Sequence, residues 1–185
     1  MNGNMIKNLL IIALVICLSA FQFNAPTYSI SPDTNLHIKS LKINESVGVG
    51  DVRIPEDLNM NCRAFGPVGL PGKFTLATYI KKALEDELKV GGAFSSNNPK
   101  FILNGEVTKF DLSTMKGLIR GTYDITLKVT SSNGKSLEVN EYYEFDSGFD
   151  AMTACKNTSD ALMPAVQNLV AKAFKSSQFP DLIKP

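Results

Sequence analysis

The strongest constraint on the fold is a strict alternation of apolar and polar residues near the middle of the chain. Within residues 118–130, apolar Tyr123, Ile125, Leu127 and Val129 alternate with polar Asp124, Thr126 and Lys128. Successive side chains of a β-strand point to opposite faces, so this pattern predicts a strand with one buried and one wet face. Such a strand needs a second layer to cover its apolar face.

Two more strands are predicted on either side, at residues 101–112 and 136–149, each bounded by turn residues. Asn133 and Gly134 lie between the second and third strands and favour a type I′ turn, in which both central residues have positive φ. The last two strands should therefore form a hairpin.

Two amphipathic helices can supply the covering layer. Residues 75–91 place Leu76, Ile80, Leu84 and Leu88 at helical spacing and end at Gly91-Gly92. The closing helix is predicted to be capped by Thr158 or Ser159 and to end before Pro180. Because a proline is tolerated only in the first turn, Pro164 predicts that regular helix begins near Met163.

Before the first helix, residues 36–43 alternate loosely and predict a strand with a bend near Ser40. Residues 44–73 contain so many glycines and prolines that a long loop is expected there. The predicted order is strand, helix, three strands, helix. This order indicates a two-layer α+β sandwich, with a mainly antiparallel sheet and both helices on one face.

The N-terminus predicts export. Lys7 precedes the apolar run Leu9–Leu18, and small residues follow it, which is the layout of a signal peptide. The run is shorter than the ~20 residues that a membrane span needs. Cleavage after Ser19 or Ala20 fits, and Ala20 is favoured. The chain then divides into a signal peptide (1–20), an extended tether (21–35) and a single domain (36–180).

Cys17 offers an alternative, because lipoprotein signals carry a cysteine directly after the apolar stretch. Ile16 argues against this, since lipid attachment favours a small residue before the cysteine. The main expectation is a periplasmic or secreted protein, and lipidation at Cys17 would make it outer-membrane-associated.

Charge narrows the range of partners. Lys7 is the only charged residue of the signal, so the mature chain keeps as many basic as acidic residues. A balanced chain without a basic run argues against nucleic acid as a partner. We expect an envelope protein or a small apolar ligand, and a membrane only if the chain is lipidated.

Cys62 and Cys155 are the two cysteines of the mature chain. If successive elements alternate in direction, the first and last strands run the same way. The segments that follow these strands then meet at one end of the sheet, and each contains one of the cysteines. An oxidising compartment makes a disulfide the expected outcome, with two separate buried thiols as the alternative.

Catalytic candidates are few. His37 is the only histidine, and no nucleophile, zinc or phosphate-loop motif is present. Glu85, Asp86 and Glu87 are expected to be solvated, and Glu144 and Asp146 share one side of a strand. We therefore expect no enzyme, metal or cofactor, and keep a small carboxylate-dependent enzyme as the alternative function.

The segment 64–74 combines flexibility with four large apolar residues: Phe65, Val68, Leu70 and Phe74. Loops on rigid scaffolds often carry binding, so these residues are a candidate partner-binding loop. The alternative is that the loop folds back and pads the core.

The order of these elements, with strands FILNGEVTKFDL, LIRGTYDITLKVT and SLEVNEYYEFDSGF and the closing helix SDALMPAVQNLVAKAF, resembles a group of small bacterial envelope proteins. The group includes YajG-like lipoproteins, auxiliary lipoproteins of ABC-type transport systems and, more distantly, the lipopolysaccharide-assembly lipoprotein. The resemblance covers about residues 36–180 and is one of architecture. It implies a non-enzymatic accessory protein of the periplasm or outer membrane, and Ile16 departs from the group's lipidation motif.

Overall fold

The computed structural model describes residues 23–184. The chain order is α1 (Pro32–Ser40), β1 (Val47–Arg53), a 3-10 helix (Arg63–Phe65), α2 (Leu76–Gly91), β2 (Phe101–Lys116), β3 (Arg120–Ser131), β4 (Ser136–Asp146), α3 (Ala151–Lys175) and α4 (Phe179–Leu182). The strands form one sheet in the order β1-β2-β3-β4. β1 pairs with β2 in parallel, and the other two pairs are antiparallel. The class is α+β with a mixed sheet.

One face of the sheet is covered by helices. α2 packs against β1, and α3 packs against β3 and β4. The alternation in β3 is confirmed, because Tyr123, Ile125, Leu127 and Val129 are buried while Asp124 and the other polar residues between them are only partly covered. α1 lies against α2 and α3.

The predicted strand at residues 36–43 is wrong, because most of this segment belongs to α1. The Ser31 side chain accepts a hydrogen bond from the Thr34 backbone N–H, and Pro32 stands at the first helical position. A capping serine followed by proline is a helix start, and this local signal outweighs a loose alternation. Leu36 is 68% exposed, so it was not a core position of a strand.

The predicted extended tether also differs where the structure describes it. Residues 32–35 are helical, and Ala25 and Tyr28 are buried against the domain. Backbone hydrogen bonds join Ala25 N–H to Gly69 O and Gly69 N–H to Phe23 O. This segment is packed and paired.

The predicted long loop at 44–73 contains β1 and the 3-10 helix. β1 includes Gly48 and Gly50, which suggested a break in regular structure. In the sheet, these glycines let neighbouring side chains approach, since a Cβ at Gly48 would lie 2.7 Å from the Pro99 ring. Glycine in a strand often marks such a close approach.

The β3–β4 turn and the start of α3 also differ from the prediction. In the β3–β4 turn only Gly134 has positive φ, at 84°, so the hairpin forms without a type I′ turn. α3 begins at Ala151, where Asp150 caps the helix by accepting from the Thr153 N–H. Pro164 lies inside this helix, because the buried stripe from Ala154 to Phe174 outweighs the ~3 kcal/mol that an internal proline costs.

Candidate binding surface

A disulfide joins Cys62 and Cys155, whose Cα atoms are 5.5 Å apart across a separation of 93 residues. β1 and β4 both run in the direction of β2, so their C-terminal ends lie at the same end of the sheet. The disulfide that was predicted from the shared ends of these strands is therefore present in the structure. The strand that it needed is Val47–Arg53, not residues 36–43.

Arg63 follows the disulfide and organises this end of the molecule. Its guanidinium donates hydrogen bonds to the carbonyl oxygens of Thr114 (2.9 Å), Gly148 (3.0 Å) and Phe149 (2.9 Å). Hydrogen bonds from a charged donor are stronger than neutral ones. Arg63 thus ties the end of β2 to the connection between β4 and α3.

A second set of bonds joins the same two segments. The Ile119 carbonyl, in the β2–β3 turn, accepts from the backbone N–H groups of Ser147 (2.7 Å) and Gly148 (3.2 Å). The Ser147 hydroxyl donates to the Thr114 carbonyl at 2.8 Å. The β2–β3 turn and the β4–α3 connection are therefore held side by side.

These two segments present large apolar side chains to solvent. Leu118 is 73% exposed and Phe149 is 79% exposed. We call the set the apolar tip: Met115, Leu118, Ile119, Phe149 and Met152. It holds five of the ten exposed large apolar side chains within residues 23–184, so these residues are concentrated at one end. A clustered apolar surface marks an interaction site, whereas scattered ones need no explanation.

The apolar tip was not predicted from the sequence. Solvent exposure at the end of a sheet depends on the fold and cannot be derived from periodicity. One local signal was present, because the turn sequence Met115-Lys116-Gly117-Leu118-Ile119 is mainly apolar. Turns between strands are usually polar.

The two cations of the β2–β3 hairpin, Lys116 and Arg120, are each paired with a carboxylate of β4. Lys116 lies 2.7 Å from a Glu144 carboxylate oxygen, and Arg120 lies 3.2 Å from Asp146. The hydrogen bond from Lys116 lowers the pKa of Glu144 and raises the pKa of the lysine. The two cations of the hairpin therefore leave little uncompensated charge.

The same pairs bear on the catalytic alternative. Glu144 and Asp146 lie on the open side of the sheet, with side chains 46% and 81% exposed. A general acid needs a raised pKa, usually in an enclosed site, whereas the pKa of Glu144 is lowered. Exposure and a lowered pKa do not suit Glu144 to the role of a general acid.

The four residues of the candidate binding loop lie mostly in the core. Val68 is buried, and Phe65, Leu70 and Phe74 are partly buried against the core. The ring of Phe65 meets the ring of Phe23 edge-on, with centroids 5.6 Å apart. This placement corresponds to the alternative in which the loop pads the core.

Glu87 was predicted to be solvated, and this prediction is wrong, because Glu87 is fully buried on α2. Its carboxylate accepts from the Tyr28 hydroxyl (2.7 Å), the Ser31 N–H (2.7 Å) and the Asn35 side-chain amide. Burial raises the pKa of Glu87 and outweighs the hydrogen bonds, which lower it. This buried carboxylate fixes the N-terminal segment to α2.

Cys17, the alternative lipidation site, and the predicted signal peptide lie outside the described residues. Within residues 23–184, no three His, Cys, Asp or Glu side chains form a group that could hold a metal ion. No helix in that range is long and apolar enough to cross a bilayer.

No protein-family model matches the chain, and a search of curated proteins found no match. Solved structures do resemble it. The hypothetical protein CT253 from Chlamydia trachomatis is 11% identical with a TM-score of 0.47, covering 69% of this chain and 92% of that chain. A putative lipoprotein from Caulobacter crescentus is 12% identical with a TM-score of 0.46, covering 83% and 99%. The PelC dodecamer from Paraburkholderia phytofirmans is 14% identical with a TM-score of 0.35, covering 78% and 94%.

Proposed function

We propose that this chain is an exported accessory protein of the bacterial cell envelope, without catalytic activity, that acts by binding a partner through the apolar tip. The observation that carries the proposal is the tip itself. Its side chains are exposed, apolar and gathered on two segments that are bonded to each other.

The fixed position of the tip supports a binding role. Arg63 and the Ile119 carbonyl hold both segments in place, and the disulfide joins the neighbouring loop to α3. A surface that is already ordered loses less conformational entropy on binding than a mobile loop does. The apolar side chains can therefore contribute to affinity.

The proposal that the chain is exported depends on its N-terminal sequence. Lys7, the apolar run Leu9–Leu18 and Ala20 have the layout of a signal peptide. A disulfide between Cys62 and Cys155 suits an oxidising compartment outside the cytoplasm. Both observations support a periplasmic or secreted location.

Photo-crosslinking in living cells tests the binding role. A photoreactive phenylalanine analogue is placed at Leu118, at Phe149 or, as the control, at Leu36, which is 68% exposed on α1. We expect adducts with protein or lipid from the two tip positions and none from Leu36. Equal labelling at all three positions, or none at the tip, would show that the tip is not the binding surface.

A further inference from the structure

We infer that the partner of the apolar tip is a lipid bilayer, into whose interfacial region Leu118, Ile119 and Phe149 insert. This inference rests on the proposed function and names the partner of the same surface. Two observations carry it: the position of the tip at the end of the sheet and its balanced charge. The place where the N-terminus enters the domain adds a third if the chain is lipidated at Cys17.

Leu118, Ile119 and Phe149, the three residues of the tip that we place in the bilayer, lie beyond the last backbone pairs of the sheet. Lys116 pairs with Arg120 to close the β2–β3 hairpin, and Arg120 pairs with Asp146 at the end of β4. Leu118 and Ile119 lie in the turn beyond these pairs, and Phe149 follows β4. Large apolar side chains at the end of a molecule can enter the boundary between headgroups and acyl chains without moving the fold.

The balance of charges at the tip favours the hydrocarbon of a bilayer over a charged partner. Lys116 is paired with Glu144 and Arg120 with Asp146. The other two charges at this end, Arg63 and Asp150, have opposite signs, so the tip offers no basic cluster for an anionic surface. Binding should come from apolar area, which scales with the buried surface and depends little on salt.

The N-terminal segment enters the domain at the same end of the sheet as the tip. Phe23 packs on Phe65, which lies two residues after Arg63, and the Arg63 guanidinium binds the Phe149 carbonyl. Leu18, the end of the apolar run, is five residues before Phe23, a reach of at most ~18 Å. If the segment is retained through lipidation at Cys17, it brings the tip close to the same bilayer. Cleavage after Ala20, which the sequence favours, removes Leu18 and leaves the tip as the membrane contact.

Two weak contacts reinforce each other at a membrane. One acyl chain alone gives marginal, reversible binding, and stable anchoring takes a second signal. The apolar tip supplies such a contact on the side from which the N-terminal segment leaves. Membrane contact is then a property of the folded domain, beyond what a signal or lipid provides.

Fluorescence tests this inference, because the chain has no tryptophan. Leu118→Trp and Phe149→Trp each place a single reporter at the tip, and Leu36→Trp is the matched control at an exposed leucine of α1. The exported protein is purified and mixed with vesicles of neutral phosphatidylcholine, with and without brominated acyl chains. We expect a blue shift and bromine quenching for both tip reporters and neither for Leu36→Trp.

A second variant measures the contribution of the tip. Leu118→Asp should lower vesicle partitioning by about tenfold or more, because a leucine loses its apolar contact and a charge enters the interface. Partitioning of the parent should be the same in low and high salt. Partitioning that requires anionic lipid and disappears in high salt would overturn the inference.

The two tests separate the two claims. If the tip crosslinks to a protein while neither tip reporter responds to vesicles, the bilayer inference is wrong and the proposed binding function stands. If the tip neither crosslinks nor responds to vesicles, both are wrong. Lipid adducts together with a fluorescence response support both.

Discussion

Glu87 is a buried carboxylate whose described partners are neutral donors. The Tyr28 hydroxyl, the Ser31 N–H and the Asn35 amide all donate to it. Burying a charge is costly unless it is well hydrogen-bonded, and here burial dominates, since the pKa of Glu87 is raised. One residue of α2 thus couples the segment before α1 to the core.

A raised folded-state pKa gives Glu87 a definite effect on stability. The folded state binds the proton more tightly than the unfolded chain does. The stabilisation is therefore complete below the ordinary pKa of 4.5 and is lost as pH rises through the raised value. Glu87→Gln removes this dependence. We expect the free energy of unfolding of the parent, relative to Glu87→Gln, to increase as pH is lowered from 8 to 4.

Urea unfolding of both proteins at several pH values measures this difference. Glu85→Gln is the control, because Glu85 is on the same helix and pairs with Lys89 near the surface. A constant difference between the parent and Glu87→Gln across the range would contradict the assignment.

Arg63 gives the second prediction at this scale. Arg63→Ala removes three charge-assisted hydrogen bonds to carbonyl oxygens and should lower stability by about 1–3 kcal/mol. Arg53→Ala is the control, because Arg53 has a single exposed partner, Glu106, at 3.4 Å and should cost less than about 1 kcal/mol. Thermal melts compare the two. Equal melting temperatures would mean that Arg63 does not hold the tip.

At the scale of elements, the sequence correctly predicted those helices and strands whose formation depends on local patterns. The helix predicted at residues 75–91 is Leu76–Gly91, with Thr75 as its cap and Gly92 as its left-handed stop. The three consecutive strands were also found, because each carries its own alternation. In these segments the periodicity and the helix cap agree with the structure, whereas the type I′ turn that Asn133 and Gly134 predicted does not form.

α1 was missed although its start, Ser31 followed by Pro32, is a local signal, whereas the other missed features depend on distant partners. β1 is a strand because β2, about 50 residues later, pairs with it in parallel, and no pattern within residues 47–53 records that. Pro164 predicted a late start for α3, but packing extended the helix through it. The disulfide could be predicted because strand direction alone brings the two cysteines together. The exposed tip could not, because exposure depends on the finished fold.

Gly91 tests the packing of α1 on α2. A Cβ at this position would overlap the Ile38 side chain, because it would lie 3.0 Å from the Cβ atom of Ile38. Gly91→Ala should therefore destabilise the fold by about 1–3 kcal/mol, although alanine favours helices by up to ~1 kcal/mol. Urea unfolding measures the loss. In the double variant with Ile38→Ala, the two losses should be less than additive, and full additivity would argue against this contact.

The disulfide couples the segment after β1 to α3. Cys62→Ser opens a loop of about 90 residues, and chain entropy sets an upper limit of about 4–5 kcal/mol on the loss. We expect the melting temperature to fall by several degrees while circular dichroism shows an unchanged strand content. The reduced parent should melt like Cys62→Ser. A variant that melts like the oxidised parent would mean that the bridge is absent from the exported protein.

For the molecule as a whole, the two ends of the sheet differ. One end gathers the disulfide, Arg63, the apolar tip and the point where the N-terminal segment enters. At the other end, the Asn133 side chain in the β3–β4 turn donates to the carbonyls of Asp181 and Lys184 near the C-terminus. A fusion at the C-terminus should therefore leave the tip free, which makes labelled versions suitable for the crosslinking and vesicle experiments.

If the chain is exported as we propose, the position of its mature N-terminus determines how much of the proposed membrane contact the tip supplies. Because Ile16 is bulky, we expect cleavage after Ala20, and intact-mass analysis should find a chain that begins at Phe21. The tip is then a single weak contact, so most of the protein should fractionate as soluble, and Leu118→Asp should remove the small membrane-bound share. A mass that begins at Cys17 with diacylglycerol attached would show that Ile16 does not prevent lipidation. In that case two contacts act together, and Leu118→Asp should weaken membrane binding without releasing the protein, whereas Cys17→Ser should release most of it.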